Sequence, residues 1–224
     1  MRHPLAPCHR GREEKTLSAA GALLYSLVSI QSAMPRTTGA TKDRILSAAY
    51  ELFYKEGFAR ASMDGIAAAA GVTKRTLYYH FESKDALAAA VLDRQHLLVL
   101  ARFEKWGAGP VRTPGEFLVS LFDQIEVWAS EPRWLGSGFT RLTMELANLP
   151  GHPVRQAAHR HKSAVENWMA GRLRELGVHE PEELARGIML LIEGCLSLIL
   201  IHGDTTYAKS AARAALRLAD RYGA

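Results

Sequence analysis

A short run in the first half of the chain concentrates side chains that can hydrogen-bond. It holds two cations, one threonine, two tyrosines and one histidine: Lys74, Arg75, Thr76, Tyr78, Tyr79 and His80. Such groups can bond to guanine edges and phosphate oxygens, and a threonine methyl can contact thymine. A helix of eight residues is about 12 Å long, so it fits within a major groove. The run therefore indicates recognition of a DNA duplex.

Two short helices joined at a glycine are predicted to present this run. Ser62 can cap the first helix, and Gly71 stops it after about two turns. Thr73 can cap the second helix at once. Leu77 and Phe81 then point away from the polar run, into a small core. The pattern is that of a helix-turn-helix, the arrangement that major-groove reading requires.

The segment from Thr41 to Leu87 resembles the signature of the tetracycline-repressor (TetR) family. The resemblance rests on a turn, an aromatic ending and a helix cap: Gly71-Val72-Thr73, Tyr78-Tyr79-His80-Phe81 and Ser83-Lys84-Asp85. It implies a three-helix DNA-binding domain, a larger helical ligand-binding domain, dimerisation through the last two helices, and repression relieved by a small molecule. It assigns neither the operator nor the effector.

The resemblance also implies which side chains meet double-stranded operator DNA. The residues at the family's contact positions are Ser62, Thr73, Lys74, Arg75, Thr76, Tyr78, Tyr79, His80 and Lys84. Residues 74–76 fall where family members contact bases, whereas Tyr79, His80 and Lys84 fall where they hold phosphates. Tyr78 can do either.

Each of these positions also has a plainer structural explanation. The three cations can be solvated surface charges, as charged side chains usually are. Tyr78 can pack between helices, and His80 can hydrogen-bond within the turn. Ser62, Thr73 and Ser83 are helix caps under either interpretation.

The whole chain from Thr41 onward is predicted to be helical, because no stretch alternates with the period of a strand. Expected helices lie near 41–57, 62–70, 73–81, 83–103, 115–130, 132–147, 153–176, 181–202 and 205–222. The predicted fold is all-α, with an N-terminal helix-turn-helix DNA-binding domain at 35–87 and a larger C-terminal helical ligand-binding and dimerisation domain at 88–224.

Bulky apolar residues and one carboxylate make up the predicted effector site. They are Trp128, Trp134, Phe139, Met144, Trp168, Met189, Leu190 and Glu193. Such a mixture suits a small apolar molecule, but the same residues at helical spacing can be ordinary core. Glu193 lies among leucines and isoleucines, so it needs a partner if buried. That partner can also come from a second copy of the chain.

Composition limits the alternatives without choosing among them. The formal charge of +5 favours an anionic partner, yet many proteins that never bind nucleic acid share it. Only two cysteines occur, Cys8 and Cys195, which suits a reducing cytoplasm. His152, His159 and His161 lack a completing Cys or carboxylate at fixed spacing, so neither a metal nor a cofactor is expected. The sequence also has no enzyme signature.

Two apolar segments raise the question of membranes and export. The stretch from Gly187 to His202 is interrupted by Glu193 and falls short of the roughly 20 residues that cross a bilayer, so a buried helix is expected. The stretch from Ala19 to Ile30 superficially resembles a signal peptide. The favoured interpretation is that Met34 is the true start, and the remaining one is that residues 1–33 form a real extra helix.

Overall fold

Helix caps and glycines divide the chain into helices close to the predicted ones. The computed structural model describes residues 38–223. The helices in that range are α1 (Thr38–Glu56), α2 (Met63–Ala69), α3 (Lys74–His80), α4 (Lys84–Gly107), α5 (Pro114–Ala129), α6 (Gly138–Glu145), α7 (Pro153–Glu175), α8 (Pro181–His202), α9 (Tyr207–Ala219) and a 3-10 turn at Asp220–Tyr222. This part of the chain contains no strand, so the all-α prediction is confirmed. The expectations for residues 1–34 lie outside the described residues.

Three hydroxyl caps fix the N-termini of α2, α3 and α4. The side-chain oxygens of Ser62, Thr73 and Ser83 each accept a hydrogen bond from the backbone N–H three residues on, at 3.0, 3.1 and 3.0 Å. Gly71, between α2 and α3, has a φ of +63°, a left-handed conformation that glycine adopts without strain. Helices as short as α2 and α3 are marginal alone, so they depend on these caps and on packing.

The apolar side of α3 anchors it to the rest of the fold. Leu77 is completely buried and Phe81 nearly so, in one cluster with Ile45 of α1 and Ile66 of α2. The predicted inward direction of Leu77 and Phe81 is therefore confirmed. α3 offers little other apolar surface. Leu77 therefore makes the main packing contact between this helix and the rest of the fold.

The same buried cluster continues beyond the predicted DNA-binding domain. Beyond α4, five of its members lie within later helices: Phe139, Leu142, Val154, Ala157 and Ala158. They come from α6 and from the start of α7. The core under the helix-turn-helix is therefore completed by residues more than fifty positions further along the chain.

A second buried cluster fills the space between α5, α7, α8 and α9. The small residues of α9 face it: Ala208, Ala211, Ala212, Ala215 and Ala219. Small residues allow close approach of helices. Gly187 of α8 shows how close, since a Cβ there would lie 2.5 Å from Leu218 Cδ2. The alanines of α9 thus pack within the protomer.

The predicted helix at 132–147 is too long, because α6 begins only at Gly138. Arg133 and Gly136 both have left-handed backbone, with φ of 66° and 80°, which prevents a helix from running through them. Ser137 then caps α6. Pro132 suggested an earlier start, since proline favours the first turn of a helix. Smaller differences are that α4 runs past Phe103 to Gly107, and that regular helix ends at Ala219 rather than 222.

α8 is, with α5, one of the two most apolar helices of the described range. It has 22 residues and contains a stretch with a mean hydropathy of 2.1, so it is long and apolar enough to cross a membrane. The core helices of soluble proteins also meet these two criteria. One face, including Ile188 and Ile192, is buried as predicted. The expectation of a buried helix holds only in part, because Leu190, Leu198 and Ile201 are exposed.

The two sides of α3 should respond very differently to truncation. We expect Leu77→Ala to lower the free energy of unfolding by about 2–5 kcal/mol, because it removes a fully buried side chain and leaves a cavity. Tyr79→Ala, which removes a larger but exposed side chain, should change it by no more than about 0.5 kcal/mol. Urea unfolding followed by circular dichroism measures both values, and equal losses would contradict the orientation of α3.

Candidate DNA-binding surface and effector site

The outward face of α3 carries polar and aromatic side chains. Tyr79 is 79% exposed and Tyr78 44%, and Lys74 and Arg75 are exposed beside them. These side chains lie opposite Leu77, so one seven-residue helix separates an anchor from a solvent-facing surface. A surface of cations and aromatic hydroxyls can bond to base edges and phosphates.

Several predicted contact residues already have partners in the protein. The Thr73 and Thr76 hydroxyls lie 2.8 Å apart, so Thr76 is tied to the cap of its own helix. Lys74 Nζ lies 2.9 Å from Asp64 Oδ1, and the hydrogen bond to that carboxylate raises the pKa of the lysine. His80 packs edge to face on the Tyr79 ring at 5.3 Å. Ser62 is exposed at the start of α2, where a phosphate could approach it.

Lys84 is partly buried, so its ammonium group is less free to contact phosphate than that of an exposed lysine. Its Nζ lies 4.3 Å from the centre of the Phe58 ring and 3.4 Å from the carbonyl oxygen of Ala59. Partial burial lowers the pKa of this lysine. The cation therefore also joins α4 to the turn between α1 and α2.

Two further cations of α1 lie against the helix-turn-helix. Lys42 Nζ lies 5.8 Å from the Phe81 ring, at the end of α3, and Arg44 Nη1 lies 3.9 Å from where a Cβ on Gly71 would stand. The sequence analysis did not select them, because it used α1 only for its apolar spacing. Both cations come just before Ile45, the first buried residue of α1. That position could have indicated that they lie close to the helix-turn-helix.

A carboxylate from α6 holds the turn after α1. Glu145 accepts hydrogen bonds from the backbone N–H groups of Phe58 at 3.1 Å and Ala59 at 3.0 Å. Gly57 makes this possible, because it has a φ of +87° and a Cβ there would lie 2.9 Å from Glu145 Oε1. We call this contact the Glu145 clasp.

α6 makes a second connection to α1 and a third to α8. Arg141 Nη1 donates to the carbonyl oxygen of Tyr54 at 2.8 Å, and the Tyr54 hydroxyl accepts from the backbone N–H of Leu135 at 2.7 Å. On another side of α6, Thr140 Oγ1 donates to Glu193 at 2.7 Å. One short helix therefore contacts both α1 and the predicted effector carboxylate.

Three of the predicted effector residues are brought together by aromatic contacts. Trp128 lies 5.8 Å from Trp134 and 6.2 Å from Trp106, whose ring lies 5.1 Å from Phe103. Phe103 in turn lies 5.8 Å from Trp168. The links through Trp106 and Phe103 were missed, because the sequence does not show that the end of α4 packs beside α5 and α7.

Glu193 forms an ion pair, as a carboxylate among apolar residues requires. It pairs with Lys162 of α7, and both side chains are partly buried. Phe139 lies apart from the tryptophans, in the cluster under the helix-turn-helix, with its ring stacked at 3.8 Å on His161. Burial, together with Lys162 and His96, lowers the pKa of His161 to about 3, so its ring is neutral.

The remaining predicted effector residues are dispersed. Met189 is buried in the core, whereas Met144 and Leu190 are exposed at 66% and 72%. Two surface grooves of about 410 and 350 Å³ are found, and none of the predicted effector residues lines either. The aromatic contacts and the Lys162–Glu193 pair are therefore the parts of the prediction that the fold brings into defined contacts.

The histidines considered for metal binding have structural partners or are exposed. His152 caps α7 by accepting from Val154 N, and its Nε2 lies 3.2 Å from Asp85 Oδ2. His161 Nδ1 lies 3.1 Å from His96 Nδ1. Within residues 38–223 no group of three or more metal-ligating side chains is found.

Comparison with known proteins identifies the N-terminal segment. Residues 45–91 match the family model of bacterial regulatory proteins, tetR family. UidR of Escherichia coli K12, an HTH-type transcriptional regulator, is 43% identical over 65 residues, which are 29% of this chain and 33% of UidR. The chain thus spans about a third of the length of the curated relatives it matches first.

Two solved structures resemble the chain over a longer range. A putative TetR regulator from Streptomyces avermitilis is 28% identical, with a TM-score of 0.70, over 80% of this chain and 98% of that one. A SmeT–triclosan complex is 25% identical, with a TM-score of 0.59, over 80% and 90%. The resemblance to the TetR family is thereby confirmed, and these relatives are transcription regulators rather than enzymes.

The Glu145 clasp can be tested apart from any function. We expect Glu145→Ala to speed amide hydrogen exchange at Phe58 and Ala59, because their N–H groups lose the carboxylate that accepts from them. Glu56→Ala is the matched control, since it removes an exposed carboxylate from the end of α1. Exchange measured by NMR at these two amides should rise several-fold only in the first variant; unchanged rates would show that the clasp does not form in solution.

Proposed function

We propose that this chain, which carries the DNA-binding domain of the TetR family, is a ligand-responsive transcription regulator that binds operator DNA as a dimer. The observation that carries the proposal is the division of α3 between buried Leu77 and the exposed Lys74, Arg75 and Tyr79. A helix anchored from beneath can enter the major groove with its outer side chains first. The division into a DNA-binding domain at 35–87 and an effector and dimerisation domain at 88–224 is part of this proposal.

The residues of the surface take separate roles in the proposed complex. Residues 74–76 and Tyr78 face bases, while Tyr79, His80 and the N-terminus of α2 at Ser62 face phosphates. Thr73 and Lys84 contribute mainly by holding α3 and the turn after α1 in place. Lys42, at the end of α3, adds a further cation to the phosphate side.

A second copy of the chain is the proposed occupant of the exposed face of α8. Leu190, Gly194, Leu198 and Ile201 recur at helical spacing on that face and are exposed. A self-complementary apolar stripe is what a two-fold dimer requires, with α9 beside it. Such a dimer presents two copies of α3 to a palindromic site whose halves are about 34–36 Å apart.

The proposed effector is a small, largely apolar molecule bound among the tryptophans and near Glu193. The aromatic contacts of Trp128, Trp134 and Trp168 supply apolar surface, and the Lys162–Glu193 pair supplies polar groups. The SmeT structure contains triclosan, a small aromatic ligand, which supports an aromatic effector here.

Release of DNA by that effector makes the protein a repressor in our proposal. α6 supports such a coupling, because Thr140 contacts Glu193 while Arg141 and Glu145 contact α1 and the turn after it. To shift occupancy strongly, the effector must favour the released state by several kcal/mol. A reducing cytoplasm is the proposed location, where the buried thiol of Cys195 stays free.

The DNA-binding proposal predicts the effect of removing two α3 side chains. We expect Lys74→Ala combined with Tyr79→Ala to weaken binding to the promoter of the chain's own gene at least tenfold, because each exposed contact is worth about 1 kcal/mol or more. Lys105→Ala, which removes an exposed lysine from the far end of α4, should leave binding unchanged. Gel shifts at fixed salt measure all three proteins.

Two outcomes of that experiment would decide against the proposal. Unchanged binding by the double variant would remove α3 from the interface. Gel shifts repeated with small aromatic compounds should show release; affinity for such a compound without salt-sensitive DNA binding would indicate a ligand-binding protein with an unused helix-turn-helix.

The dimer proposal predicts a change in assembly from one substitution. We expect Leu190→Glu to convert the protein from two chains to one, because it places a charge in the apolar stripe that the second chain would bury. Leu97→Glu is the matched control, since Leu97 of α4 is also exposed, at 68%, but lies off the stripe. Sedimentation velocity distinguishes the two, and a dimer that survives Leu190→Glu would place the interface elsewhere.

A further inference from the structure

A carboxylate lies on the face that the proposed function assigns to DNA. Asp64, in the first turn of α2, has its oxygens 2.9 and 3.1 Å from Lys74 Nζ, the first side chain of α3. The two side chains are 67% and 60% exposed, so the pair is open to an approaching duplex. A carboxylate beside the start of α3 would repel phosphate and so weaken binding to DNA. The presence of Asp64 there therefore requires an explanation.

Support of the helix alone does not account for the pairing. A carboxylate in the first turn favours the positive end of α2, but it would do so without reaching α3. Exposed ion pairs also contribute little to stability. Asp64 instead joins the two helices of the helix-turn-helix, and both of its oxygens lie within bonding distance of one ammonium group.

The neighbouring cation provides an internal comparison. Arg75 is exposed on the same face and has no carboxylate partner among residues 38–223. Of the two adjacent cations at the start of α3, one is therefore free to meet the duplex, and the other is already paired with a carboxylate.

We propose that Asp64 is a specificity-determining residue that withholds Lys74 from phosphates until a matching base edge replaces the carboxylate. The proposal rests on the proposed function. Binding without sequence preference is driven by cations that displace counterions from phosphates. A lysine already paired with Asp64 contributes little to this non-specific affinity. A bidentate bond to guanine, by contrast, compensates for the loss of the bond to Asp64. The pair thus widens the gap between specific and non-specific affinity.

The test uses the full chain with Asp64→Asn and the matched control Asp123→Asn. Asparagine keeps the shape of the side chain, and Asp123 is an exposed carboxylate of α5 whose loss changes the net charge equally. Binding is measured by fluorescence anisotropy between 50 and 200 mM salt, on a random-sequence duplex and on a duplex enriched by the wild-type protein from a random pool. Thermal melting confirms that each variant is folded.

The expected result is specific to Asp64. On the random duplex, Asp64→Asn should bind more tightly than the wild-type protein. The slope of log affinity against log salt concentration should steepen by about 0.9. Between 50 and 200 mM salt, that steeper slope corresponds to a further loss of affinity of roughly 3.5-fold. On the enriched duplex the gain should be smaller, so the ratio of the two affinities falls several-fold. Asp123→Asn should change neither the slope nor the ratio.

Three results would overturn the assignment. One is equal behaviour of the two variants, and another is an unchanged slope in Asp64→Asn. The third is a steeper slope that persists when Lys74→Ala is added, because Asp64 would then act on phosphate directly. In each case the wild-type protein still binds the duplex. Loss of salt-dependent binding in the wild type itself would instead remove the proposed function, and this assignment with it.

Discussion

The burial of Leu77 is the contact on which the geometry of the proposed DNA-binding surface depends. α3 has only seven residues, too few to be stable as an isolated helix, and the Thr73 hydroxyl caps its N-terminus. Leu77 fixes its rotation about its own axis, and that rotation decides which side chains face outward. The exposure of Lys74, Arg75 and Tyr79 is therefore a consequence of one apolar contact beneath them.

Around that contact, the polar residues of α6 do what an apolar core cannot do alone. Apolar packing positions helices, but it specifies direction weakly, whereas a carboxylate with two backbone N–H partners defines one position of a turn. Glu145 and Arg141 define the end of α1 in this way, and Thr140 extends the same helix to Glu193. In the proposed function, contacts of this kind are the means by which effector binding near α8 would reach the helix-turn-helix.

The local part of this structure could be predicted, because its determinants lie within a few residues of each other. The caps at Ser62, Thr73 and Ser83 and the stop at Gly71 were all identified from spacing, and the starts of α2, α3 and α4 followed from them. The first helix begins at Thr38, three residues before the predicted start. The loop before α6 was not predicted, since left-handed backbone at a non-glycine residue such as Arg133 has no sequence signal. The Glu145 clasp and the Asp64 pair were also missed, because both depend on the arrangement of helices in space. The effector site was only partly foreseen for the same reason: apolar spacing shows which residues are inside, but not which of them meet.

The shared core under α3 bears on how far this protein is modular. Val154, Ala157 and Ala158 of α7 cover the same apolar interior as Ile45 and Leu77. A fragment cut at the end of the predicted DNA-binding domain would leave that interior open to water. Chimeric regulators that exchange DNA-binding heads would therefore need to carry α6 and the first turns of α7 along with the head, or to redesign the surface where the two parts are joined.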